Sequence, residues 1–174
     1  MKKAIVLVLT GMAFLVMTAC GSNNDAAGGS VQLANPFTEY ATKEEAEAAV
    51  GFDISLPEMP DDCELIYRVE TEGRMLEIIC KKDGEEVMRI RKAAGSDDIS
   101  GNYNDFTSDI TAKAGAGSFD VRLRGMEADR FSLATWSYMD YTYSIDLTDG
   151  VSQEDIMKLV GEEAGTDSAT APGQ

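Results

Sequence analysis

Residues 63–91 read CELIYRVETEGRMLEIICKKDGEEVMRIR, and this stretch decides the fold. Cys63, Leu65, Tyr67 and Val69 alternate with polar positions, Ile66 being the exception. After a turn at Glu72-Gly73, Met75-Leu76-Glu-Ile78-Ile-Cys80 repeats the pattern. Asp83-Gly84 is a strong two-residue hairpin signal, and Val87-Met-Arg-Ile90-Arg follows it. Period-two alternation marks strands with one buried face, so the stretch predicts a three-stranded antiparallel meander. A first-hairpin register of 67↔76, 65↔78 and 63↔80 sets Cys63 directly opposite Cys80, within reach of a disulfide. A register two residues away keeps the same face but leaves the cysteines diagonal. Two free thiols packed as small hydrophobes fit the sequence as well.

Downstream, residues 93–105 are polar and rich in turn formers and predict a long connection. Its Asp97, Asp98, Ser100, Asn102, Asn104 and Asp105 invite a calcium reading, but their spacing does not match an EF-hand loop. Such residues gather in loops because they bond their own backbone. Phe119-Asp-Val121-Arg-Leu123 alternates cleanly. Residues 131–138 turn through Met139-Asp140 into 141–147, predicting a hairpin with aromatics on both arms. A weaker strand lies at 110–114, and Asp149-Gly150 closes the sheet. Ser152-Gln-Glu-Asp155 resembles a capping box, and Ile156, Leu159 and Val160 give the following helix one apolar face.

Upstream, Thr42-Lys-Glu-Glu45 is a capping box that opens a short helix over 44–50, with Gly51 as its terminator. Phe52-Asp-Ile54-Ser-Leu56 alternates and predicts a strand, stopped by Pro57 and Pro60. The expected fold is α+β: a curved antiparallel sheet of about six to eight strands, with a short N-terminal helix and a C-terminal helix packed on one face. A closed or half-closed barrel is the alternative. Glu64, Arg68, Glu70, Glu77, Lys81, Arg122 and Arg124 are expected to point outward from the face without helices.

Residues 1–20, MKKAIVLVLTGMAFLVMTAC, place Lys2 and Lys3 before an uncharged apolar run and end on Met17-Thr18-Ala19-Cys20. This is the layout of a secretory signal with a lipoprotein cleavage site. Met17 stands where leucine is usual and keeps the apolar character. A plain secretory signal and an uncleaved helix are the alternatives, but the run is short of the about 20 apolar residues that span a bilayer. The expected partner of Cys20 is the lipid bilayer, through a diacylglyceryl group whose two chains suffice for stable attachment. Residues 21–34 begin GSNNDAAGGS and read as a flexible tether. Residues 35–164 then form a single α+β domain, and 165–174 read as a disordered tail.

The 174-residue chain carries a formal charge of −16 and no histidine. Acidic excess disfavours nucleic acid and electrostatic adsorption to anionic lipid, since both reward positive charge. Lack of histidine excludes Ser–His–Asp and Cys–His catalysis and removes the commonest zinc ligand. No cofactor-binding, catalytic or metal-ligating motif stands out, and a carboxylate-based hydrolase is the enzyme class that remains open.

Several spaced pieces resemble a known family. They are Asn35-Pro36-Phe37, Glu44-Glu45-Ala46 running to Val50-Gly51-Phe52, Pro57 with Pro60, and Ser100-Gly101-Asn102-Tyr103. Trp136, Tyr141-x-Tyr143-Ser144-Ile145 and Ser152-x-Glu154-Asp155-Ile156 complete the set. In order and spacing the chain is similar to the extracytoplasmic domains of Gram-positive bacteria grouped as domain-of-unknown-function family 4367 and its relatives. The resemblance implies an exported or membrane-anchored domain and carries no activity or site with it.

The sequence therefore predicts a membrane-anchored, extracytoplasmic lipoprotein whose domain is non-enzymatic and binds a protein or envelope partner. The alternative is a small-ligand binder with a pocket between sheet and helices, lined by Trp136, Tyr138, Tyr141 and Tyr143. The same four aromatics alternate on strands, and packing accounts for most of that signal.

Overall fold

The computed structural model describes residues 35–167, with side chains to 163. The described chain forms β1 (Phe37–Tyr40), α1 (Lys43–Val50), β2 (Glu64–Glu70), β3 (Met75–Lys82), β4 (Glu85–Ala94), β5 (Ser108–Ala114), β6 (Phe119–Gly125), β7 (Phe131–Tyr138), β8 (Tyr141–Val151) and α2 (Gln153–Asp167). The eight strands make one open antiparallel sheet in the order β1-β2-β3-β4-β8-β7-β6-β5, and with the two helices the fold is α+β. The predicted meander is β2–β4. Asp83 and Gly84 form its second turn, both at positive φ (53° and 84°), as the two-residue hairpin turn demands.

Both helices lie on one face. Thr42 caps α1 by accepting from the Glu45 N–H at 3.2 Å, while the Glu45 carboxylate accepts from the Ala41 N–H. Ser152 caps α2 by accepting from the Asp155 N–H and donating to its carboxylate. Ala46 of α1 and Ile156 and Val160 of α2 are fully buried in one core with Leu76, Ile78, Ile90, Val121, Leu123 and Ile145. Burying each large aliphatic side chain contributes roughly 1.5–3 kcal/mol. The inner faces of the long strands are thus apolar apart from Lys92 of β4, which is buried among aromatic rings.

The strand order explains the long connection. Two meanders, β1–β4 and β5–β8, meet where β4 pairs with β8. The chain leaving β4 must therefore travel to the far edge before β5 can start, about 19 Å across four strand spacings. It must also change ends, because Ala94 pairs with Tyr141 while Ser108 pairs with Gly125. Residues 95–107 make this diagonal crossing as a strap over the face that carries no helix.

Several expectations need correction. Residues 52–56 form no strand, since side chains satisfy their backbone. The Glu47 carboxylate accepts from the Ile54 N–H at 2.8 Å, Lys43 donates to the Ile54 carbonyl at 3.0 Å, and Lys92 donates to the Asp53 carbonyl at 2.7 Å. A four-residue edge strand, β1, forms instead from residues next to the expected tether. The β2–β3 register is 65↔80, 67↔78 and 69↔76, two residues from the expected one. Asp149 and Gly150 lie within β8 instead of ending it, and α2 continues to Asp167, inside the segment read as tail. The signal (1–20) with Cys20, and the tether (21–34), lie outside the described residues.

Candidate functional site: the strapped polar face

Opposite the helices, the register builds an unbroken polar row. From edge to edge it runs Glu39, Arg68, Glu77, Arg91, Ser144, Thr135, Arg122 and Thr111, one residue from each strand. Alternation dictates that these side chains share a face. Third in this row, Glu77 is 0% exposed. Arg68 Nε donates to Glu77 Oε1 at 2.8 Å, with a second contact from Arg68 Nη2. Arg91 Nε donates to Oε2 at 2.7 Å and Arg91 Nη2 lies 2.6 Å away, while Arg89 Nε sits 3.6 Å from the same oxygen. A buried carboxylate is tolerable only when so engaged, because burial of an uncompensated charge is costly.

The expectation that Glu77 and Arg124 would be solvent-facing needs the same refinement. Both occupy the outer face, yet both are buried: Glu77 is enclosed by Arg68, Arg89 and Arg91, and Arg124 is met by the strap at Asp98 and Phe106. Arg91 Nη1 donates to the Ile99 and Ser100 carbonyls at 2.8 and 2.5 Å. Asn102 Nδ2 donates to Asp146 at 3.0 Å, and Arg124 Nη2 reaches Asp98 at 3.4 Å while its guanidinium lies 5.1 Å from the Phe106 ring. Gly101 crosses Arg91 at positive φ (62°), and a Cβ there would stand 2.6 Å from Arg91 Nη1. Only glycine fits that crossing without displacement.

Titration of the strap carboxylates reflects these contacts. Burial pushes Asp146 above the ordinary carboxylate range, against the Asn102 hydrogen bond and the Arg89 charge, which act to lower it. Burial acts to raise Asp98 too, but hydrogen bonds from Ser100 and the Arg124 charge outweigh it and hold that carboxyl below its usual range. Of the loop residues that invited a calcium reading, Asp98 and Asn102 are engaged in docking the strap, to Arg124 and Asp146. Among the described residues no group of three or more His, Cys, Asp or Glu is placed to hold a metal ion.

The strap presents Tyr103, which is 91% exposed. Beside it opens a cleft of about 300 Å³ lined by Glu70, Arg74, Met75, Asp97, Asp98 and Tyr103, among others. The carboxylates beneath are engaged by guanidinium and amide donors. The face therefore offers a fixed polar floor, a charged rim and one unburied aromatic, an arrangement suited to recognition.

The four aromatics named from the sequence lie on the other face. Trp136 and Tyr143, 4% and 2% exposed, stack in parallel with centroids 5.2 Å apart. Tyr138 packs on Phe119 at 5.1 Å and Tyr141 meets Phe52 edge-on at 5.0 Å. The Lys92 ammonium stands 4.6 Å from the Tyr141 ring centroid and 5.2 Å from that of Tyr143, a cation–π arrangement. The chain's own side chains thus occupy these aromatic surfaces. An apolar groove of about 370 Å³ lies elsewhere, between α2 and the β4–β8 seam, lined in part by Val87, Met88, Leu147, Val151 and Leu159.

Cys63 and Cys80 are joined by a disulfide with Cα atoms 5.6 Å apart. Leu65, not Cys63, stands opposite Cys80. Cys63 lies just outside β2, after the left-handed bend at Asp62 (φ 61°), and bridges diagonally from there.

Sequence reasoning missed the Glu77 network and the strap's role. The signal was present: Arg68, Glu77 and Arg91 each fall on outward positions of successive strands. Only the true register aligns them. No family model matches the chain, and no match was found among curated proteins or solved structures. Among the described residues no helix is long and apolar enough to cross a membrane.

Proposed function

We propose that the chain is a lipoprotein held on the extracytoplasmic face of the cell membrane by a diacylglyceryl group on Cys20. Its domain binds a protein or envelope partner and performs no catalysis. The observation that carries the binding role is Tyr103, an aromatic side chain left open on a loop that is itself held down. Loops fixed on a rigid scaffold are the usual carriers of binding function, and tyrosine is among the residues enriched in binding hot spots. The signal-like N-terminus supports the address, as does the resemblance to the extracytoplasmic family 4367 domains. The acidic balance supports a body standing off an anionic surface. No nucleic acid is expected as a partner.

The test is photo-cross-linking of the full-length chain in its own membrane. A benzophenone amino acid at Tyr103 is expected to give a discrete adduct, while the same group at Lys158 on α2 gives none. Adding Gly101→Val, which pushes the strap off Arg91, is expected to abolish the Tyr103 adduct. Equal labelling at both positions, or an adduct indifferent to Gly101→Val, would refute the role of this face.

A further inference from the structure

The two edges of the sheet are not alike. β1 is four residues long and directly follows Pro36, features that blunt an edge against pairing. β5, at the other edge, is seven residues, SDITAKA, with neither proline nor glycine, and Asp109, Ile110 and Thr111 are exposed. It pairs on one side with β6 and among the described residues has no strand on the other. A row of free backbone donors and acceptors of this length is a template for another strand.

The side chains specify which strand. On the outer face β5 presents Asp109, Thr111 and Lys113, evenly spaced about Thr111. We propose that β5 pairs antiparallel with β5 of a second copy about a two-fold axis at Thr111, joining two sheets into one. In that register Asp109 faces Lys113 of the second copy, Thr111 faces its own counterpart, and Lys113 faces Asp109 of the second copy. Opposite-charge and Thr–Thr pairs are favourable cross-strand neighbours. On the inner face Ile110, 38% exposed, falls opposite Ala112 of the second copy, so the apolar layer continues across the seam.

The flanking strand extends the pattern. Lys113 already bonds Asp120 at 2.6 Å and Asp109 bonds Arg122 at 2.5 Å. Across the seam the charges then run Arg122, Asp109, Lys113, Asp120 with alternating sign, the last two from the second copy. These four side chains sum to zero in a chain whose formal charge is −16, so the seam itself brings no excess of like charge together. A slip of two residues in either direction leaves no Asp109–Lys113 pair, and a slip of one turns the apolar set to the wrong face. One register alone satisfies both faces.

The test uses the full chain in detergent, followed by sedimentation. The wild type is expected to be a dimer. Asp109→Lys and Lys113→Glu each turn two attractive pairs into repulsive ones and are expected to weaken association at least about tenfold. An equimolar mixture of the two variants is expected to restore the dimer, since each altered position then faces the opposite charge on the other chain. A substitution that merely damaged folding would not be rescued by mixing. A second readout is independent of detergent: Thr111→Cys in intact membranes is expected to give a disulfide-linked dimer, and Lys158→Cys none. A monomeric wild type, single variants that dimerise as the wild type does, a mixture no better than its components, or no Thr111→Cys cross-link would each overturn the proposal.

Discussion

Glu77→Ala is expected to destabilise the domain by about 3–5 kcal/mol, the range found when one member of a buried ion pair is removed. The physical reason is what remains behind. Arg91 is 8% exposed and would keep its bonds to the Ile99 and Ser100 carbonyls, but its charge would lose its counterion. Arg68 would retain its cation–π contact with the Phe37 ring, 5.1 Å away, but would lose its carboxylate partner. Urea denaturation reads the loss directly as a lower midpoint at unchanged slope. A companion variant separates stability from positioning. Replacing the triad together, Arg68→Leu, Glu77→Leu and Arg91→Met, is expected to cost clearly less than Glu77→Ala, because neither Arg68 nor Arg91 is then left as an uncompensated buried charge. The same variant deletes the donors that hold Ile99 and Ser100, so residues 95–107 should become cleavable by protease. If the triple variant keeps the strap protected, Arg91 does not hold it.

Trp136→Ala is expected to cost about 3–5 kcal/mol, the usual range for truncating a buried aromatic to alanine. Trp136 stands opposite Val121 and Tyr143 on its neighbouring strands, and its ring covers the Tyr143 ring. Truncation opens a cavity where two strands and an aromatic stack converge. Among the described residues its Nε1 has no hydrogen-bond partner, so Trp136→Phe should cost much less, losing area but no hydrogen bond. The contrast bears on function. A tryptophan lining an open pocket could be truncated with little loss of stability, and a near-wild-type midpoint for Trp136→Ala would favour the small-ligand alternative over core packing.

The sequence made some of this fold readable and left the rest hidden for physical reasons. Alternation in 63–91 shows which side chains share a face, because the period of a strand is two. It cannot separate registers that differ by two residues, since both keep that face. The Cys63–Cys80 bond therefore formed diagonally, from a cysteine just outside its strand. Residues 52–56 alternate as a strand does, but Glu47, Lys43 and Lys92 satisfy the backbone there, and such long-range side-chain partners leave no local trace. Trp136, Tyr138, Tyr141 and Tyr143 would alternate identically in a core or around a ligand. Burial of Glu77 was the least accessible fact. It depends on the register that brings Arg68, Arg89 and Arg91 around the carboxylate and on the strap that holds Arg91 from above, and strand order is a global property that residues 93–105 do not encode by themselves.

The proposed membrane address depends on Cys20. The most direct measurement is the intact mass of the protein extracted from the membrane fraction. The expected species begins at Cys20 and carries the added mass of a diacylglyceryl group, and Cys20→Ala yields no such species. A membrane-associated chain with Cys20 unmodified, or one processed and retained identically in Cys20→Ala, would contradict it.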